Sequence, residues 1–423
     1  MKVLKHILLL LGGFIGVVAA LALGVTLYVI INAQMGWRDL PDEDAPQHAD
    51  VYDERFADIS DSALALLAAM RREEGVPGAT AAVAVDGQLV WAAGVGWADL
   101  DTNTPATPDT VFRIGSTSKA ITATVIARLT EAGVLDLDDT VDAHVATPPN
   151  PNWGPMEIDQ LLSHTAGFPG YEENTDWAGV YASLRMSRQY DSIEEGLGLV
   201  DGSDLLYAPG EDFHYNSFDV NLAAFVAEQA SGQSYARLLE EQVRRPLGLE
   251  TPIPADLGPA PDSLATFYLI RDNGEYRNRG QVNVSQRWAS GGLYSRSVDL
   301  VRVASAWLDD DYISETTRER FWTPMTLSSG EMNEQGYAIG WRTNPESTTR
   351  FGEDAPVRIV HHGGVSRGAM SWLILYPELG MAVAVNINTE TEEFGDFSSV
   401  EPEITRLFAE AVGRTPENAR LPD

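Results

Sequence analysis

Residues 112–136 read FRIGSTSKAITATVIARLTEAGVLD. Three hydroxyl residues, Ser116, Thr117 and Ser118, stand directly ahead of Lys119, and no charge follows until Arg128. Residues three apart on a helix share a face, so Ser116 and Lys119 can meet. Thr117 and Ser118, two positions and one position from the lysine, are off that face. Lysine is almost never fully buried unless paired. At the head of a helix that is apolar on every side it would be desolvated, which lowers its pKa. An amine that is neutral part of the time can take a proton from a serine hydroxyl. The free N–H groups of a helix start also favour negative charge developing beside them. The spacing therefore points to a serine nucleophile with a lysine base. A plain helix cap at Ser116 with a snorkelling Lys119 fits the same four residues, so support must come from elsewhere in the chain.

The elements that would hold this pair are readable in outline. ATAAVAVDGQLVWAAGVG (79–96) has two apolar runs around Asp86-Gly87, a strong hairpin signal. SALALLAAMRREE before it has helical spacing and is closed by Gly75. A helix is expected from Gly115 to Gly133. Towards the C-terminus YAIGWR (337–342), VRIVHH (357–362), MSWLILY (370–376) and MAVAVNI (381–387) read as short strands, and EITRLFAEAVGR (402–413) as an amphipathic helix. About 190 residues between, from Asp136 to Phe321, are mostly helix and loop. Strands from both ends with helices between them imply one antiparallel sheet, flanked by helices and interrupted by a mainly helical insertion at about 136–321. This is an α+β arrangement.

TPDTVFRIGSTSKAITA, LLSHTAGFPGY, FHYNSFDVNLAAFVAEQASG, ASGGLYSRSVDL and VHHGGVSRGAMSW occur in that order. Together they resemble the blocks of the serine β-lactamase and penicillin-binding protein superfamily, whose signature is S-x-x-K. The resemblance is to its class C-like branch: class C β-lactamases, D-aminopeptidases and DD-carboxypeptidases, family VIII esterases and the mitochondrial serine β-lactamase-like protein. It covers roughly Ala57 to the C-terminus. It implies a β-lactamase/transpeptidase-like fold and an acyl-enzyme formed at Ser116. Lys119 and Tyr215, the tyrosine opening the second box, would manage protons. The third box falls on His361, His362 and Gly363, with His361 leading. Adjacent strand residues face opposite sides, so one histidine faces the site, and His361 is the choice. The N–H groups of Ser116 and Gly364 would form the oxyanion hole. Asn216, Ser217, His362 and Gly363 would contact substrate. The second box is usually Tyr-Ser/Ala-Asn; here Ser217 stands at the amide position. That departure favours an ester or a D-amino-acid or cell-wall-type peptide over a β-lactam.

Two other residues attract attention. Gly364-Val365-Ser366-Arg367-Gly368 fits G-x-S-x-G, but a nucleophile elbow needs strand, turn and helix, whereas Ser366 lies between two strands and reads as a turn residue. His164 in LLSHTAG reads as a packing and hydrogen-bonding residue. A metal site would need both His361 and His362 on one face plus another ligand, so neither metal nor cofactor is expected.

The chain has 423 residues, 62 acidic against 29 basic, a formal charge of -33 and no cysteine. Disulfides, thiol catalysis and cysteine-ligated metal are excluded, and so negative a surface repels nucleic acid. Ile7 to Ile31 carries no charged side chain, long enough for a spanning helix. Lys2 and Lys5 precede it, and Asp39, Asp42, Glu43 and Asp44 follow. This bias puts the N-terminus in the cytoplasm and the rest outside a bacterial-type inner membrane. Residues 1–33 then form stub and anchor, 34–60 an acidic linker and 61–423 the hydrolase domain. Gly12 and Gly16 form a GxxxG pair, compatible with helix dimerisation; the oligomeric state stays open. The expected partners are a small-molecule or peptide substrate and the membrane. A weakly active or inactive binding or scaffold protein on the same fold is the alternative.

Overall fold

The computed structural model describes residues 2–41, 45–171, 173–174, 177–200, 202, 204–344 and 357–414. An eight-stranded antiparallel sheet forms the centre. Its main strands are β1 (Gln47–Val51), β2 (Gly78–Val85), β3 (Gln88–Asp99), β4 (Arg342–Asn344), β5 (Ile359–Ser366), β6 (Ala369–Tyr376) and β7 (Met381–Ile387). The spatial order is β4-β5-β6-β7-β2-β3-β1, and the short strand Thr104–Pro105 pairs with β3. The two ends of the chain are therefore joined where β7 meets β2, with Val383 opposite Val83. β2 and β3 turn at Asp86-Gly87, where φ is 50° and 78°. A two-residue hairpin of this hand needs both angles positive. The α+β class and the sheet drawn from both termini are as the sequence implied.

Helices cover both faces. The chain opens with α1 (Lys2–Gln34), and α2 (Ala57–Glu73) lies on one side of the sheet with α6 (Val400–Ala411). Phe408 packs against Phe56 and Trp91 there, with ring centroids 5.2 Å and 5.6 Å away. Truncating such a buried ring to alanine costs about 3–5 kcal/mol. The other side carries α3 (Ser118–Glu131), α4 (Phe218–Ser231) and α5 (Ser297–Ala306). There the sheet presents small residues, Ala82, Ala84, Ala92, Ala382 and Ala384. α5 can therefore lie close, and Ser297 Oγ meets Thr80 Oγ1 at 2.6 Å and Asn386 Nδ2 at 2.9 Å.

Three expectations change. Residues 34–60 are not simply a linker. β1 pairs along β3, and Arg38–Asp39 pairs with Tyr276 and Glu275. An edge strand is held by its backbone ladder, so QHADV needs no run of apolar side chains to be one. Asp42, Glu43 and Asp44 lie outside the described residues. The insertion also contributes strands that its helical reading missed: Tyr268–Ile270 and Glu275–Asn278 in one small sheet, Ile253–Pro254 and Leu293–Ser295 in another. Finally, of YAIGWR only Arg342 is in a strand. Residues 16–28 of α1 are exposed, and its last residue, Gln34, accepts from Arg271 Nη2 at 3.5 Å. Among the described residues no helix is long and apolar enough to cross a membrane. The side chains of residues 7–12, 14, 15 and 29, part of the expected span, lie outside that description.

Candidate active site

Ser116 sits in a tight 3-10 turn, Gly115–Thr117, that leads into α3. β5 presses on this turn. A Cβ on Gly115, whose φ is 50°, would come 2.5 Å from Val365 O. One on Gly364 would come 2.0 Å from Ile114 O and 2.8 Å from Ser116 N. Two glycines thus let strand and turn meet backbone to backbone. The neighbouring hydroxyls are engaged structurally: Thr117 Oγ1 donates to His362 O at 3.4 Å, and Ser118 Oγ accepts from Leu293 N at 3.3 Å. Ser116 Oγ is left facing Lys119, with Nζ 3.2 Å away.

Lys119 is fully buried because α3 is: Ser118 to Ala127 are all inside. Its Nζ donates to Ser290 O at 2.9 Å and lies 4.8 Å from the centre of the Tyr215 ring. Burial pushes the amine below its ordinary value; the Tyr215 hydroxyl opposes this, and the Arg287 and Arg342 guanidiniums add to it. Among the described residues no carboxylate pairs with it. A buried lysine without a counter-charge is poised to be a base.

Tyr215 is half-buried just ahead of α4. Its ring meets His164 edge-on at 4.5 Å, and Arg342 Cζ lies 5.1 Å from its centre. Asn216 turns away from the cleft. Its Oδ1 accepts from Phe218 N at 2.8 Å and Asp219 N at 3.1 Å, and its Nδ2 donates to Phe168 O at 3.0 Å and Asp219 Oδ2 at 2.9 Å. It caps α4, so its amide is not free for a substrate. Ser217 is half-buried and its carbonyl accepts from Asn221 N at 3.4 Å. Behind Tyr215, His164 Nδ1 is 2.9 Å from Asp219 Oδ2, with both residues buried. Burial pushes His164 well below and Asp219 well above their ordinary values, so both favour their uncharged forms.

The two histidines of β5 take the opposite roles from those expected. His361 packs on Trp372, 4.8 Å between rings, on the α2 and α6 side of the sheet. Strand alternation puts His362 on the side of Tyr215, 6.5 Å between rings. His362 Nδ1 lies 2.7 Å from Gly363 O. A carbonyl only accepts, so Nδ1 carries the proton, and Nε2 accepts from Tyr337 Oη at 2.9 Å. Burial first, then Arg342 and Lys119, push its pKa well below the ordinary value. His362 is therefore a neutral ring with both nitrogens engaged. Gly363 faces the far side, where a Cβ would come 2.5 Å from Phe394 Cζ.

The oxyanion expectation at Gly364 also shifts. Arg342 pairs with His361, while Thr343 N turns to Gly336 O. The main-chain groups of 359 and 361 thus face β4. Alternation carries those of Gly363 and Val365 to the same edge, beyond the end of β4, and turns Gly364 N–H into the ladder with β6. Val365, beside Gly115, presents the free strand N–H. Ser366 ends β5 at its turn into β6. The structure therefore gathers Ser116, Lys119, Tyr215, His362 and the β5 edge. It does not bring the His361 ring or the Asn216 amide to them. Arg342, Tyr337 and Asp219 were missed.

Comparison with known proteins identifies the family and the fold. The Beta-lactamase family profile matches residues 63–399. The chain is 26% identical to the mitochondrial serine beta-lactamase-like protein LACTB of Bos taurus, over 81% of this chain and 75% of that one. It superposes on the octameric penicillin-binding protein homologue from Pyrococcus abyssi with a TM-score of 0.66 and 23% identity, covering 85% of this chain and 78% of the other. For the D-amino acid amidase from Ochrobactrum anthropi SV3 the TM-score is 0.68 at 20% identity, covering 84% and 98%. The chain belongs to the Beta-lactamase family and is a serine hydrolase of that superfamily.

Proposed function

We propose that the protein hydrolyses an ester or a peptide-type amide through an acyl-enzyme on Ser116. Ser116 Oγ attacks the carbonyl carbon and its proton passes to Lys119. The N–H groups of Ser116 and Val365 receive the oxyanion. Collapse breaks the bond to the leaving alcohol or amine, which takes a proton by way of Tyr215. Water then attacks the acyl-enzyme, releasing the acid and returning the proton to Ser116. The carrying observation is a fully buried Lys119 amine, 3.2 Å from Ser116 Oγ and paired with no carboxylate among the described residues. With Asn216 used as a cap and Ser217 in the amide position, β-lactams are the weaker class of substrate.

The test is labelling by a neutral fluorophosphonate, with Ser116→Ala beside the wild type. Label on the wild type and none on Ser116→Ala is expected; no label on the wild type sinks the hydrolase mechanism. Turnover of p-nitrophenyl esters, D-Ala peptides and nitrocefin then ranks the substrate classes. We also propose that α1 anchors the protein in a bacterial-type inner membrane with the domain outside. The uncharged run from Ile7 to Ile31 and the lysines before it support this. Release of the protein from membranes by alkaline carbonate would refute it.

A further inference from the structure

A pocket of about 570 Å³ is walled by Trp177, Val180 and Met186 and reached by Glu173, Arg287 and Arg367. Arg287 adjoins the reactive turn: a Cβ on Gly291 would sit 3.4 Å from Arg287 Cδ and 3.8 Å from the carbonyl carbon of Gly115. Arg367 follows Val365 by two residues and donates to Leu184 O at 2.7 Å. Among the described residues neither guanidinium pairs with a carboxylate, and Arg287 Nε is buried with no hydrogen-bond partner. Acids outnumber bases by 62 to 29, and Arg296 alone holds three carboxylates. Burial, then Arg279 and Arg287, push the Arg367 guanidinium below its ordinary value, with Glu390 opposing. Two guanidiniums with no direct carboxylate partner among the described residues, one of them against the reactive turn, favour an anion arriving with the substrate.

Resting on the hydrolase reading, we infer that Arg287 and Arg367 bind a carboxylate carried by the substrate, with the Trp177 wall taking the apolar segment that links it to the scissile carbonyl. Glu173 shares the pocket, held by Gly170 N at 3.1 Å and beside His214 Nε2 at 3.2 Å. Among the described residues that line the pocket, two guanidiniums less one carboxylate leave a single positive charge, which matches a monocarboxylate better than a phosphate dianion. Arg is suited to this task because its planar fork grips a carboxylate through two parallel hydrogen bonds.

The test uses two esters of matched length, p-nitrophenyl pentanoate and mono-p-nitrophenyl glutarate, which differ by a terminal carboxylate. On the full chain, kcat/KM is expected to favour the glutarate ester about tenfold or more, the scale of one charge-assisted hydrogen bond. Arg287→Gln and Arg367→Gln should each cut that preference by about tenfold. Arg55→Gln, an exposed arginine with the same change of charge, should leave the preference intact. A wild-type ratio near one overturns the inference, as does an equal fall in Arg55→Gln. If neither ester turns over, fluorophosphonate labelling decides. Label that glutarate slows in the wild type but not in Arg287→Gln supports the pocket, and label indifferent to glutarate overturns it while leaving the hydrolase. No label at all removes the hydrolase reading and this inference with it.

Discussion

Lys119 and Arg296 are both buried cations, and they differ in company. Arg296 grips Asp299 with two nitrogens, at 3.0 Å and 3.1 Å, and reaches Glu250 at 2.9 Å and Asp109 at 3.1 Å. Burial alone would lower its pKa, but these carboxylates outweigh it and hold the guanidinium above its ordinary value. Lys119 has a carbonyl, a serine hydroxyl and a tyrosine ring, and its amine is lowered. The same desolvation therefore locks one charge in place and loosens the other. A buried charge with partners holds structure; a buried charge without them becomes reactive.

Lys119→Met is the strongest way to break this comparison. It should lower kcat by roughly a thousandfold, the range of general-base catalysis, while the urea midpoint holds or rises. A variant that keeps its turnover would show that Lys119 is not the base. Arg296→Met should do the reverse. Asp299 would remain buried without its cation, and denaturant titration should show a loss of about 3–5 kcal/mol. The folded fraction should still turn over substrate.

His362→Ala comes next. It leaves the Tyr337 hydroxyl buried without its acceptor, a loss of about 1–3 kcal/mol, and opens the floor beneath Tyr215. His361→Ala, on the other face, should change stability less and turnover hardly at all. If the two effects were reversed, the assignment of strand faces would be wrong. The smallest effect concerns pH. The folded pKa of Lys119 lies below its unfolded value, so between the two the unfolded chain binds more protons. Stability must rise with pH across that window and fall as pH drops towards the folded pKa. The stability difference between Lys119→Met and wild type, measured by denaturant titration at a series of pH values, should therefore narrow as pH climbs. Arg342→Gln removes one depressing charge and should move the acidic limb of kcat/KM upward.

What could be read beforehand follows from range. Ser116 and Lys119 are three residues apart on one helix, and the apolar run after them is local, so the pair is visible in a short string. The Asp86-Gly87 turn is visible for the same reason. The phase of β5 is not. Ile359 and Val360 are both apolar because the sheet is covered on both faces, and a strand buried on both sides carries no alternation to say which histidine looks inward. The same uncertainty of phase moved the oxyanion expectation by one residue. Arg342 reaches the site only because β4 pairs with β5, and no nearby residue announces that pairing. Asn216 beside Tyr215 suggested a substrate amide, yet three positions later Asp219 opens a helix that needed a cap.

The joining of β7 to β2 also sets when the enzyme can exist. A chain synthesised as far as residue 380 already holds Ser116, Lys119, Tyr215 and His362. It lacks the strand that bridges β6 to β2, so its two half-sheets have no common edge. Contacts that span some three hundred residues form late, after the long loop between them has closed. Cutting the chain at residue 380 would thus keep every side chain of the site and remove the one strand that ties its two halves into a single sheet.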